Sequence, residues 1–530
     1  MAEIQLEFKS RPQQDAILDF VKTSISDGKK YMMVDAPTGV GKSYAAIMIA
    51  DWYRKEVTKD ARVDILTNTK ILQDQYLKDF AFAANLKGKN NYWCSRNNMG
   101  CGDAQIANKA AGKKCDRCPH RIAQSKYINS PLSLTNFHLI TSYAMYSPEI
   151  TAERRSKLLI IDEAHAFEET FCGFISSVLS ERALKQLEVW QPWMETDLDG
   201  ITNISELADY VSAIIVPKLS TLVVELLDEA TECKNRAKKL DLVKRADFID
   251  KSMCKYGRFI NDRDNFEKNW TFEKDLDQNG KTKILVEPTC GNIYLKEMFW
   301  DNYDHVIFMS GTLLDKNLMS FVLGVEPEET SYLDLPCPFS AEKRPVIYMK
   351  IGKMSYYNKK ETFATAGPLI KKILNRNADN KGIIHTANYE LSNWIRAGNS
   401  DKRLLFHDSN TREKTLADHL ASGYPTVLVS PSMINGIDLK DDLSRFQIIL
   451  KVPFPNLMST KTKKRLETRP EWYNWKTLVD LLQSYGRSIR NEDDWAETYI
   501  LDECFDQILQ NTKVPQYFMD ALRIKKPTAR

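Results

Sequence analysis

Short runs rich in aliphatic and β-branched residues recur along the chain, each closing on a polar or glycine-bearing turn: YMMVDAPTG, VDILTNT, KLLIIDEAH, HVIFMSGT, GIIHTANY, TVLVSPS and FQIILKVPFP. Runs that are apolar at nearly every position, separated by stretches with helical spacing, predict strands buried on both faces of parallel sheets in doubly wound α/β domains. Two such domains are the economical count. From about Glu168 to Glu287 the rhythm changes. SERALKQLEVW, ISELADYVSAIIVPKLSTLVVELLDEATECKNRAKKL and KRADFIDKSMCKYGRF carry apolar residues at helical spacing with no buried strand run, which predicts a helical insertion with Trp190 and Trp193 in its core. The proline-marked DLPCPFSAEKRP, from Asp334 to Pro345, predicts the crossing between the two α/β domains.

Composition narrows the class without naming a partner. At 530 residues the chain exceeds one hydrophobic core, and 43% apolar, 27% charged and 10% aromatic residues are ordinary values for a folded chain. No apolar run approaches the ~20 residues of a membrane span, and MAEIQLEFKSRPQQ has no signal or transit character, so an intracellular, cytoplasmic or nucleoid-associated protein is expected. With 74 Lys+Arg against 71 Asp+Glu, any basic groove for nucleic acid must be local.

Three stretches carry chemistry. After YMMVD the chain reads APTGVGKS, Ala36-Pro37-Thr38-Gly39-Val40-Gly41-Lys42-Ser43, and then a helical run. This is the strand, loop and helix order of a phosphate-binding loop: glycines let backbone N–H groups approach phosphate, Lys42 reaches the β/γ-phosphates and Ser43 ligates magnesium. KLLII delivers Asp162-Glu163-Ala164-His165 at a strand's carboxyl end, placing Asp162 for the magnesium ion and Glu163 for orienting or deprotonating the attacking water. Far downstream, LLQSYGRSIRN sets Gln483, Arg487 and Arg490 on one helix face, where they can stabilise phosphoryl-transfer charge once the domains close.

Of ten cysteines, six are scattered and four are grouped: Cys94, Cys101, Cys115 and Cys118, spaced C-x6-C-x13-C-x2-C. Such grouping inside the cell points to metal rather than disulfides, and spacing alone separates zinc from iron–sulfur no further. Around them, Lys70, Lys113, Lys114 and Arg117 are interleaved with Tyr92, Trp93 and Phe137, the mixture of cations and aromatics that holds single strands and also occurs in solvated loops.

In order and setting these stretches resemble a superfamily 2 helicase, and the Asp162–His165 box, SGTL at Ser310–Leu313, QSYGRSIR and the tetracysteine segment narrow the resemblance to the XPD/DinG-like iron–sulfur helicases. The resemblance implies two RecA-like P-loop motor domains, with a 4Fe-4S domain on the four cysteines and a helical arch both inserted in the first. The expected segments are 1–84, 131–167 and 288–335 for motor domain 1, 85–130 for the cluster domain, 168–287 for the arch and 336–530 for motor domain 2. It also implies ATP and Mg2+ as cofactors, Gln14 of RPQQ against adenine, Asp438 at the nucleotide, and Thr67 and Thr69 of TNTKILQDQ on DNA phosphates.

The activity implied is ATP-driven 5′ to 3′ translocation on single-stranded DNA, a monomer opening duplex junctions, with the cluster domain as the wedge. One departure is MINGIDL, where Asn435 replaces the family's glutamate beside Gly436 and Asp438. The adenine segment stands so near the start that a leading nuclease domain is expected to be absent. Two other readings stay open: an RNA-dependent ATPase, since such boxes also serve RNA motors, and a non-catalytic nucleic-acid scaffold with a zinc module.

Overall fold

The computed structural model describes residues 8–110, 117–431, 439, 441–486 and 494–525. The strands of the first half are β1 (Tyr31–Asp35), β2 (Val63–Thr67), β3 (Ala84–Asn85), β4 (Trp93–Cys94), β5 (Met99–Gly100), β6 (Leu132–Asn136), β7 (Leu158–Asp162), β8 (Ser177–Ser180), β9 (Trp270–Leu276), β10 (Thr282–Pro288), β11 (His305–Ser310) and β12 (Thr330–Asp334). Seven of them form a parallel sheet in the order β12-β1-β11-β7-β2-β6-β3. The second half adds β13 (Val346–Met349), β14 (Gly382–His385), β15 (Leu404–Phe406), β16 (Val427–Ser430), β17 (Phe446–Ile449), β18 (Glu497–Ile500) and β19 (Leu522–Lys525), again one parallel sheet, β15-β16-β14-β17-β18-β13-β19.

Both sheets are covered on both faces, which is why their strands are apolar at almost every position. In β1, Met32 and Val34 join the core beneath the helix Lys42–Trp52, while Tyr31 and Met33 join the opposite core with Phe167, Phe171 and Trp300. That second core runs on into the 168–287 segment and takes in Trp472, Trp475 and Val479 from the helix Pro470–Tyr485 of the second half. The two halves are therefore joined by shared apolar packing as well as by the 335–345 connection.

The 168–287 segment corrects the all-helical expectation. It is dominated by two long helices, Val216–Glu232 and Arg236–Asn261, but it rests on an antiparallel sheet, β8-β10-β9. The β9–β10 hairpin turns at Asp277–Gly280, where Gly280 takes φ +73 and the Asp277 carboxylate accepts the Asn279 and Lys281 N–H groups. Trp193 is a second correction: it is 46% exposed beneath the Lys218 ammonium, whereas Trp190 packs on the core as expected. The membrane expectation also needs amendment. One continuous helix, 204–232, is long and apolar enough to cross a bilayer by length and composition, although Leu207, Val211, Ile215, Leu219 and Leu226 face the protein core.

Candidate functional site

Strand order builds the cleft. Because β11 lies between β1 and β7, register sets Ser310 beside Asp35 and Met309 beside Asp162, so the loops after the three strands converge at one sheet edge. The loop after β1 reaches positive φ only at Gly39 (+91) and Gly41 (+84), so Ala36 at its first position carries no strain. Ala36 N–H donates to the Ser310 carbonyl at 2.7 Å, and its own carbonyl accepts the Lys42 ammonium at 2.9 Å. Gln14, 3% exposed, accepts from Arg11 N–H at 2.9 Å and donates to the Gly41 carbonyl at 3.3 Å, strapping the N-terminal helix Pro12–Ser26 to the loop. A Cβ on Gly41 would stand 2.2 Å from the Gln14 amide nitrogen.

Asp162 is buried, its Oδ1 accepting from Glu163 N–H at 3.0 Å and its Oδ2 from the Tyr76 hydroxyl at 3.0 Å. Burial and the adjacent Glu163 charge push its carboxyl up to about 6, against the pull of Lys42 and the two donors. Glu163 itself sits at φ +57, a left-handed backbone that a non-glycine residue adopts only when its surroundings hold it there. The Ser310 hydroxyl donates to Glu163 Oε2 at 3.4 Å and shares a 2.7 Å hydrogen bond with His165 Nδ1. A network thus links the box after β7 to the SGT turn after β11.

The second half closes the cleft with the helix Pro470–Tyr485. Gln483 Nε2 donates to Thr312 Oγ1 at 2.9 Å, and a Cβ on Gly486 would meet Thr38 Oγ1 at 3.3 Å. The cavity so enclosed, about 620 Å³, is lined by Gln14, Thr38, Lys42, Ser43, Asp162, Glu163 and Gln483 among others. Structure thus brings together residues that the sequence separates by more than 300 positions. Arg487, Arg490, Asn435, Gly436 and Asp438 lie outside the described residues.

The same helix is held elsewhere too. The Trp475 indole donates to the Leu313 carbonyl at 2.9 Å, Lys476 pairs with Glu169 at 3.2 Å, and Arg469 lies 4.4 Å over the Phe321 ring. Just before it, the helix Thr460–Thr468 inserts Arg465 against Glu168 at 2.6 Å, a buried pair whose carboxylate also accepts from Gly291 N–H and the Cys172 thiol. Burial opposes the Glu168 charge, yet Arg465 and Lys461 outweigh it and hold the carboxyl at about 2. No sequence pattern flagged Glu168, Arg465 or Tyr76. The SGT turn was legible as the end of a strand run, and its place at the cleft came only through the resemblance.

Cys94, Cys101 and Cys118 gather in one small buried cluster with Ala104, and Cys115 lies outside the described residues. Asn97 donates to Cys94 Sγ at 3.5 Å and Gln105 to Cys118 Sγ at 3.1 Å. Burial works against charge on Cys118, but the Arg121 backbone N–H, Gln105, Cys101 and the His120 N–H together hold its thiol below the usual value. Among the described residues no three candidate ligands close into a finished metal site. The donor chemistry is nevertheless of the kind a thiolate-ligated group takes: three buried cysteines share one cluster, and N–H donors point at two of their sulfurs.

Two side chains near the expected strand path face inward. Phe137 is fully buried against Phe167 and has no face for a base. The Thr67 hydroxyl is buried and donates to the Thr69 carbonyl at 3.2 Å, because Thr67 is the last two-sided core position of β2. Thr69 instead caps the helix Lys70–Asp79, accepting from Leu72 N–H at 3.2 Å. Trp93 is 60% exposed, so it does not simply cover the cysteines. Lys113 and Lys114 lie outside the described residues.

Comparison with known proteins agrees with this layout. Residues 7–188 match the family described as type III restriction enzyme, res subunit, and residues 384–523 match the helicase C-terminal domain. The chain is 23% identical to the ATP-dependent DNA helicase DinG of Photobacterium profundum, over 73% of this chain and 67% of that protein. It is 25% identical to the ATP-dependent DNA helicase CHL1 of Vanderwaltozyma polyspora, but over only 24% of this chain and 19% of that one. Among solved structures, an XPD helicase superposes with a TM-score of 0.63 at 16% identity, covering 98% of this chain and all of the other. Xpd4 of S. tokodaii gives 0.58 at 13%, covering 97% and 100%.

Proposed function

We propose that this chain is a DinG/XPD-like helicase, an ATP-dependent DNA helicase moving 5′ to 3′ on single-stranded DNA. The observation that carries the reading is one cleft in which a phosphate loop, an Asp-Glu pair and a helix from the second parallel-sheet domain meet. Lys42 holds the β- and γ-phosphates, Ser43 and Asp162 ligate magnesium, and Glu163 orients and deprotonates the attacking water from its strained backbone position. Magnesium, when bound, offsets charge on the phosphate oxygens. Gln483 senses closure through Thr312, and Arg487 and Arg490, which follow Gly486 in sequence, supply positive charge to the transferring phosphoryl group.

Cys94, Cys101, Cys115 and Cys118 hold a 4Fe-4S cluster, which stiffens the 85–130 domain as a wedge at the junction. The 168–287 segment is the arch, and its contacts with the cysteine segment support that role: Lys244 pairs with Asp103 at 2.7 Å and Arg236 donates to Asn97 at 2.7 Å. Thr69 and the helix it caps meet the strand. The enzyme works as a monomer inside the cell.

The test is strand displacement on duplexes with a 5′ or a 3′ single-stranded tail, with ATPase stimulated by DNA or RNA oligonucleotides. Opening of 5′-tailed duplex only, lost in Glu163→Gln, is expected. Preference for 3′ tails would reverse the direction, and stimulation by RNA alone would replace DNA as the track.

A further inference from the structure

His120 follows Cys118 by two positions, near the start of the helix Pro119–Asn129, and is 1% exposed. Its ring stands nearly perpendicular to that of Tyr92, 5.4 Å between centroids, and Tyr92 packs in turn on the cluster of Cys94, Cys101 and Cys118. The Gln105 amide nitrogen lies 3.1 Å from Cys118 Sγ and 3.2 Å from His120 Nδ1. A ligating thiolate accepts hydrogen bonds and donates none, so the amide nitrogen, not the oxygen, faces it. That nitrogen carries two N–H groups, one for the sulfur and one for Nδ1. Nδ1 is therefore the acceptor, the ring is neutral, and its single proton sits on Nε2. Nε2 is buried and has no hydrogen-bond partner among the described residues. A buried N–H without an acceptor costs stability, so this orphan calls for one.

We propose that the His120 Nε2–H donates to a sulfur of the group bound by Cys94, Cys101, Cys115 and Cys118, and so poises the reduction potential of a 4Fe-4S cluster. The proposal rests on the reading of these cysteines as cluster ligands. His120 acts as a positioning residue that reaches the group through a hydrogen bond and does not ligate it. Hydrogen bonds to the sulfurs are among the levers that set iron–sulfur potentials, because an N–H donor favours the more electron-rich reduced state. Gln105 serves Cys118 directly and, through Nδ1, fixes the tautomer that gives Nε2 its proton.

The test uses the full chain purified anaerobically, as wild type, as His120→Phe, which keeps a ring and removes the donor, and as His120→Gln, which returns an amide N–H near the Nε2 position. Iron content and the electron paramagnetic resonance signal of the reduced cluster are read first, then the midpoint potential at fixed pH. In His120→Phe the oxidised-to-reduced ratio at a given applied potential should rise about tenfold, a midpoint about 59 mV lower for a one-electron couple, and His120→Gln should bring it back towards wild type. Loss of iron from His120→Phe alone, with His120→Gln retaining it, also supports the donor. A ratio in His120→Phe within about twofold of wild type overturns the proposal, and so does an equal shift in both variants, which marks ring packing. Loss of iron from both variants, with circular dichroism and nucleotide binding intact, overturns it too, since it marks a ligand or a purely structural role. Wild type carrying zinc and no iron overturns the cluster reading itself, and this proposal with it.

Discussion

Arg465→Met tests how the second half of the chain is fastened to the first. The Arg465 side chain is 9% exposed; its guanidinium pairs with a Glu168 carboxylate whose side chain is 3% exposed, donates to the Thr289 carbonyl and lies 4.9 Å over the Trp472 ring. Methionine fills much of the volume but leaves Glu168 charged and buried, with Gly291 N–H, the Cys172 thiol and Lys461 as its remaining support. Removing one partner of a buried pair costs about 3–5 kcal/mol, mostly because the other charge is stranded. The double variant Glu168→Gln/Arg465→Met strands no charge and should recover at least about 1 kcal/mol of that loss. Hydrogen exchange at the Thr460–Thr468 amides is the appropriate assay, since a multidomain chain need not unfold in one step and exchange reads the local opening free energy. A single-variant loss below about 1 kcal/mol, the scale of exposed ion pairs, would refute the reasoning, and so would a double variant no better than the single.

Three further outcomes follow from the geometry. Gly41→Ala, at φ +84 and with its Cβ 2.2 Å from the Gln14 amide, should weaken fluorescent-nucleotide binding by about tenfold or more, about 1–3 kcal/mol of backbone strain, and Gln14→Ala should not rescue it because the backbone strain remains. Cys118→Ser should lose metal and the visible absorption of a cluster on anaerobic purification, while nucleotide binding at the distant cleft persists; full metal retention would exclude Cys118 as a ligand. Glu168 is depressed to about 2 from 4.5, so its ionised form stabilises the folded state above pH 4.5 and that contribution is lost as pH falls towards 2. Acid titration followed by exchange at the same helix should show this loss, and Glu168→Gln should flatten it between those limits.

The strands that carry the cleft were legible because they are buried on both faces and end in turns with their own chemistry, as with β1 before Gly39 and β7 before Glu163. The β8-β10-β9 sheet was not, because β9 reads WTFEKDL and its last three residues are exposed, which leaves no apolar run to detect. Its hairpin turn, Asp277–Gly280, was the available signal. The inward-facing Thr67 hydroxyl was not legible, since motif position says where a loop is, not which way each side chain faces. Arg465 and Glu168 stand 297 positions apart, and Tyr76 reaches Asp162 across 86, so only the folded chain pairs them.

The helix Pro470–Tyr485 is about 24 Å long at ~1.5 Å per residue. It is pinned at its start by Arg469, at its middle by Trp475 and Lys476, and at its far end by Gln483. A rod gripped at three points along one side cannot release its tip while its root stays seated, except by rolling about its own length. Any opening of the fuel chamber must therefore either roll this strut or lift it whole from the lower half, and a cross-link fixing its root would jam the chamber shut from 20 Å or so away.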